Sequence, residues 1–186
     1  MPVVLASHAG FCMGVRRAVL AAERIAEEGS PACTYGELIH NPQVVGELKR
    51  RGVPPVHCPE EAAGKRVLIR SHGVALGVMS ALEAQGCRVE DLTCPFVSRL
   101  HEIVQRETAD GTPAIIVGEG SHPEVRGTAG WAGGPVYTLA AVEEAETLPL
   151  METAVAVAQT TLPPSRWEAI VPVLRRRVRL DRKSVV

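Results

Sequence analysis

Aromatic residues make up only 3% of this 186-residue chain, two each of Phe, Trp and Tyr. That scarcity removes the stacking platforms on which a single-strand nucleic-acid binder lays successive bases. Charge is equally uncommitted, with 20 Lys and Arg against 21 Asp and Glu, a net of −1. No global field draws such a chain to nucleic acid, and its one basic cluster, Arg175-Arg176-Arg177-Val178-Arg179, reads as a solvated face. No apolar run is long enough to span a bilayer. The opening Met1-Pro2-Val3-Val4-Leu5-Ala6 is interrupted by Ser7-His8, which argues against a secretory signal. We therefore expect a cytoplasmic protein with no nucleic-acid partner and no membrane.

Cysteine chemistry is bounded by absences as well. Nowhere is there a Cys-x-x-Cys, which excludes zinc ribbons and thioredoxin-type dithiols. Five cysteines, an odd number, in a chain without a signal sequence point to reduced thiols rather than a disulfide framework. Metal or thiolate chemistry is the remaining expectation.

What the sequence does have is a repeat. Cys12 and Cys94 lie 82 residues apart, as do His40 and His122. Around them Cys-x-x-Val-x-Arg recurs at 12–17 and 94–99, and Gly-Glu-x-x-His at 36–40 and 118–122, all in one register. An internal duplication puts two copies of one small unit in the chain. Each copy supplies a thiol and an imidazole to a shared, pseudo-symmetric site.

Periodicity gives the same grammar in each copy. We expect strands at Pro2–Ala6, Ala32–Tyr35, Val67–Arg70, Ala114–Val117, Val136–Thr138 and Ala154–Ala158, with a strand-like run also at Cys87. Helical stripes run over 15–28, ended by Gly29, over 42–51 behind an Asn41 cap, and over 75–85, ended by Gly86. In the second copy a helix opens at Thr93-Cys94-Pro95, a short one starts at Pro123, and another follows Pro164. Strands alternating with helices predict parallel α/β sheets, whose ligands bind beyond the carboxyl ends of the strands. Cys12, His40, His72, Cys94, His122 and Thr160 all fall there.

Cys12 and Cys94 sit where a loop becomes a helix, so each sulfur meets the positive end of a helix dipole, an environment suited to a metal or an electrophile. Taken singly, a free cysteine is more often a small buried hydrophobe; the duplication favours the functional reading. Sulfur ligands gathered from distant loops remain an option, an iron–sulfur cluster among them. His40, His72 and His122 stand beside small residues in strand-to-helix loops and suit a phosphate or diphosphate. Glu124, on the opening turn after His122, either complements the helix dipole or handles protons. Cys33, Cys58, Cys87, His8, His57 and His101 are read as structural.

Six segments carry a resemblance: Gly10-Phe11-Cys12-Met13-Gly14-Val15-Arg16-Arg17-Ala18, Ile39-His40-Asn41, Ser71-His72-Gly73-Val74, Asp91-Leu92-Thr93-Cys94-Pro95, His122-Pro123-Glu124-Val125-Arg126-Gly127-Thr128 and Gln159-Thr160-Thr161-Leu162. Together, and in this order, they resemble the 4-hydroxy-3-methylbut-2-enyl diphosphate reductases. The resemblance implies an oxidoreductase of the last step of the methylerythritol phosphate route, making isopentenyl and dimethylallyl diphosphate. It implies a 4Fe-4S cluster held by three cysteines, of which Cys12 and Cys94 match two. It further implies His40, His72 and His122 as diphosphate ligands, Glu124 as proton donor and Thr160 beside the substrate hydroxyl, with ferredoxin or flavodoxin as electron donor. The implied fold is α/β, the first two small pseudo-repeated domains of a three-domain, pseudo-threefold architecture. On this reading residues 1–12 form an N-terminal strand and cysteine loop, 13–93 a first domain, 94–180 a second and 181–186 an atypical tail.

The chain also departs from that pattern. No cysteine follows Cys94, the 82-residue register carried on from Cys94 lands on Arg176, and Leu162-Pro163-Pro164 replaces the usual Leu-Ser. The third cluster ligand is thus expected to be absent from a C-terminally truncated chain, inactive by itself. The competing expectation is a non-catalytic diphosphate-binding module. A metal-dependent hydrolase is disfavoured, because no carboxylate cluster lies near the histidines in sequence.

Overall fold

The computed structural model describes residues 3–4 and 9–178. Of the expected strand Pro2–Ala6 only Val3 and Val4 are described; neither is in a strand and both are exposed. His8 and the 181–186 tail lie outside the described residues. No helix among the described residues is long and apolar enough to cross a membrane.

Seven helices and seven strands alternate along the described chain. The first sheet holds β1 (Ala32–Tyr35), β2 (Pro55–Val56), β3 (Arg66–Ile69) and β4 (Arg88–Asp91), in the order β2-β1-β3-β4. The second holds β5 (Ala114–Val117), β6 (Val136–Leu139) and β7 (Val155–Ala158), in the order β6-β5-β7. Every pairing is parallel. Parallel strands need crossovers of a dozen or more residues, and the helices α1 (Met13–Glu28), α2 (Pro42–Arg50), α3 (Leu76–Ala84), α4 (Pro95–Glu107), α5 (Pro123–Ala129), α6 (Val142–Glu146) and α7 (Pro164–Arg177) are spaced among them.

The repeat is visible in the strands. β1 and β5 begin and end 82 residues apart, and each is the strand between the other two equivalents, with β2 matching β6 and β3 matching β7. The register then breaks, because β3 begins at Arg66 and β7 at Val155, an offset of 89. The extra residues fall in the stretch between α6 and β7.

Packing divides the chain into a first unit of Met1–Ser71 with Gln85–Cys94 and a second of His72–Ala84 with Pro95–Val186. In the first, the stripe Ala18, Val19, Ala22 and Ile25 of α1 packs with Leu48 of α2 on Ala32 and Leu68 of the sheet. Asn41 caps α2 through Oδ1, which accepts from the N–H of Gln43 (3.0 Å) and Val44 (3.1 Å). At the far end of β3, Arg66 donates to Glu90 on β4 and Glu28 on α1, which hold it more firmly protonated. In the second unit, strand alternation serves two layers. Ile115, Val117 and Ala156 face Ala145, Ile170 and Leu174, while Ala114, Ile116, Val155 and Val157 face Leu100, Val104 and Val125. Helix α3 belongs to this second unit although the strands it connects belong to the first.

Cys33 lies on β1, fully buried on the face of the first sheet opposite α1. Burial pushes its thiol up, Lys65 works against this, and Cys87 and Glu61 reinforce it. A raised value in the folded state means the proton is held more tightly there. The stabilisation is therefore complete below the unfolded thiol value and lost as pH rises through the folded one. We expect iodoacetamide to label Cys12 in the folded chain and Cys33 only on unfolding, read by peptide mass spectrometry. The urea midpoint should fall at alkaline pH, and less steeply in Cys33→Ala; early labelling of Cys33 would contradict its placement.

Candidate functional site

In the first unit, Cys12 is the N-terminal residue flanking α1, in extended conformation and exposed, and its side chain caps nothing. Its carbonyl accepts from Arg16 N (2.9 Å), so the helix starts at the cysteine itself. Cys94 arrives from β4 on a tightly braced segment. Asp91 Oδ1 accepts from both the N–H (2.9 Å) and the hydroxyl (2.5 Å) of Thr93, Arg17 Nη2 donates to Thr93 O (2.5 Å), and Cys94 N donates to Ser71 O (2.9 Å). Thr93, at the expected opening of α4, thus gives its hydroxyl to Asp91.

These braces set the Cys94 sulfur on the first turn of α1. A Cβ built at Gly14 would stand 2.6 Å from Cys94 Sγ. No side chain fits there, so Gly14 is a cradle for the thiol, two residues from Cys12. Both cysteines are free. Sequence reasoning found the two thiols but missed Gly14, Arg17 and Asp91 as their supports, although all three lie inside the quoted segments. His40, in the same unit, is exposed beside the Asn41 cap, where Asn41 N donates to Ile39 O (2.9 Å).

The second unit holds the other candidates: His122 and Thr160 follow its strands β5 and β7, and His72 opens the segment after β3 that belongs to this unit. His122 caps α5, its Nδ1 accepting from Glu124 N (3.2 Å), which leaves the hydrogen of the neutral ring on Nε2. His72 meets His122 edge to face, ring centroids 5.4 Å apart at 85°. Glu124 is 3% exposed, and its carboxylate is taken up by one residue: Oε1 accepts from Thr160 N (2.6 Å) and Oε2 from Thr160 Oγ1 (2.8 Å). Thr160, just past β7, is itself exposed. The pairing gives Glu124 a partner 36 residues away, in addition to its place on the first turn of α5.

Gln159 is a further residue that sequence reasoning named only as part of a motif. Its Oε1 accepts from Glu119 N (3.2 Å), its Nε2 donates to Thr161 Oγ1 (2.8 Å), and its side chain fills the space a Cβ on Gly118 would need. It laces the loop after β5 to the loop after β7. Beside it a cavity of about 570 Å3 is walled by Phe96, Leu100, Leu162 and Trp167 and reaches Thr160.

A family profile described as LytB protein matches residues 3–184. The chain belongs to the LytB family. Among curated LytB relatives, the 4-hydroxy-3-methylbut-2-enyl diphosphate reductase of Caldanaerobacter subterraneus subsp. tengcongensis is 43% identical over 180 residues, covering 94% of this chain and 62% of the relative. The solved structure of (E)-4-hydroxy-3-methyl-but-2-enyl diphosphate reductase, described as the terminal enzyme of the non-mevalonate pathway, is 38% identical with a TM-score of 0.80, over 99% of this chain and 66% of that one. The reductase of Plasmodium falciparum is 25% identical with a TM-score of 0.85, over 94% of this chain and 57% of that one. The chain thus spans about three-fifths of the length of the curated LytB relatives it matches.

Proposed function

We propose that this chain carries the redox and proton-transfer residues of a 4-hydroxy-3-methylbut-2-enyl diphosphate reductase. The reaction removes the allylic hydroxyl as water, consuming two electrons and two protons, and yields isopentenyl and dimethylallyl diphosphate. The observation that carries the reading is the Glu124–Thr160 pair, a buried carboxylate bound at both oxygens to a residue exposed at the strand ends. When the carboxyl is protonated, the 2.8 Å contact runs the other way. Glu124 then donates to Thr160 Oγ1, which passes its own proton to the departing hydroxyl.

His72 and His122 bind the diphosphate, with His122 presenting Nε2–H as donor; the motifs assign His40 the same ligand. Cys12 and Cys94 fit two ligand positions of a 4Fe-4S cluster, because both are free thiols and Gly14 leaves a sulfur-sized cradle between α1 and Cys94. Such a cluster would supply electrons and Lewis acidity to the reaction. A ferredoxin or flavodoxin delivers the electrons, and the cytoplasm, where thiols stay reduced, is the fitting compartment.

The test is turnover. The chain joined to the unmatched part of the Caldanaerobacter relative, reconstituted anaerobically, should convert the substrate with a chemical reductant. A diphosphate-binding module without redox function would instead retain pyrophosphate affinity and show no turnover, whether or not Cys12 and Cys94 are replaced by Ala.

A further inference from the structure

The orientation of His72 is decided from beneath, by α5 and by Gly130 and Trp131, two residues that lie outside the motifs. The His72-Gly73-Val74 turn passes through Gly73 at φ +71, a left-handed position suited to glycine, and the chain beyond it is fixed. That fixing comes from α5 and the residues just after it. A Cβ on Gly127 would stand 3.4 Å from the Gly73 carbonyl and from Val74 N, and one on Gly130 would stand 2.2 Å from Ala75 Cβ and 2.9 Å from Ala75 Cα. Two glycines therefore let the backbone of residues 73–75 lie directly on the helix that carries His122 and Glu124. Two hydrogen bonds then hold it: Leu76 N to Gly130 O (3.4 Å) and Trp131 Nε1 to Val74 O (2.8 Å). The second is the shorter, and its donor is itself held, because the Trp131 ring stacks on His101 at 5.0 Å and 18°. His101 is 4% exposed on α4, whose apolar face packs on the second sheet.

We propose that Trp131 is a positioning residue for His72. Its indole N–H fixes Val74, and thereby the angle at which His72 meets His122 for an anionic, diphosphate-bearing ligand. The inference deepens the diphosphate reading above and rests on it. An indole N–H donated to a carbonyl at 2.8 Å is a directional contact that ring packing alone does not supply.

The test uses the 186-residue chain with its histidine rings followed by NMR and inorganic pyrophosphate as the probe. Trp131→Phe keeps a ring on His101 and deletes only the N–H donor. It should weaken the His72–His122 inter-ring contact signal, shift the His72 resonances, and raise the pyrophosphate Kd about five- to tenfold, the range of one lost hydrogen bond. Gly130→Ala, whose new Cβ collides with Ala75, should give the same signature, and adding Ala75→Gly, which removes the 2.2 Å contact but leaves the Cα at 2.9 Å, should recover part of it. The proposal is overturned if Trp131→Phe lowers only the melting temperature while the His72 signals stay put and Kd stays within about twofold. A wild-type chain that fails to bind pyrophosphate would sink the diphosphate reading alone, because the inter-ring signal still decides whether Trp131 orients His72.

Discussion

Replacing Glu124 by Gln is expected to lower turnover of the completed enzyme by about 10²- to 10⁴-fold, the usual worth of a positioned proton donor. The substitution is nearly isosteric, and the amide oxygen can still accept from Thr160 N, so the loop after β7 should keep its place. KM should change little while kcat and kcat/KM fall together, the signature of an interaction made in the transition state. Thr160→Val removes the relay hydroxyl from the same pair and should fall in the same direction. A Glu124→Gln enzyme within about tenfold of wild type would remove Glu124 from the proton path.

The second large effect is expected at the thiols. Of the five cysteines, Cys33 is buried in β1, Cys87 Sγ donates to Ala62 O (3.2 Å) and Cys58 leads a short 3₁₀ turn, which leaves Cys12 and Cys94 as the pair at the α1 cradle. The resemblance calls for three cysteine ligands, so the 186-residue chain reconstituted anaerobically with iron and sulfide should hold no stable four-iron cluster. The completed chain should hold one. Within that completed chain, Gly14→Ala drives a methyl onto Cys94 Sγ and should cost about 1–3 kcal/mol of strain or displace the sulfur. Iron content and visible absorption measure both. A stoichiometric cluster in the 186-residue chain would show that the ligand set is wrong.

Much of the fold was legible because each copy of the repeat carries a complete hydrophobic pattern. β1 and β5 are short buried runs bounded by Pro and Gly, and α1 and α4 each bury an apolar stripe at helical spacing. β2 and α6 escaped, and β4 was legible only as a strand-like run at Cys87, because their patterns are weak. β4 has exposed Arg88 and Asp91 around half-buried Val89 and Glu90, so its parallel pairing with β3, rather than any periodicity, makes it a strand. α6 is a five-residue helix with three glutamates, too short to show a stripe, and its Ala145 is buried only because α7 packs over it. α3 reads as an ordinary crossover between β3 and β4, yet its contacts place it with the second unit. Sequence order gives a helix its neighbours along the chain but not the surface on which it packs.

The site divides in the same way. The residue types and the βα alternation by themselves predicted thiols and loop histidines beyond the carboxyl ends of parallel strands; His40, His72, Cys94 and His122 follow β1, β3, β4 and β5, whereas no described strand precedes Cys12. They also carried the family, since six short motifs in one order survive without any knowledge of geometry. Only the tertiary structure decided which partners complete each group. Glu124 finds Thr160 across 36 residues, Cys94 finds the bare first turn at Gly14 across 80, and Val74 finds the Trp131 indole across 57. Such pairings depend on the register of β5 against β7 and on how closely glycine lets two backbones approach. Those distances are set by packing, and no local stretch of sequence encodes them.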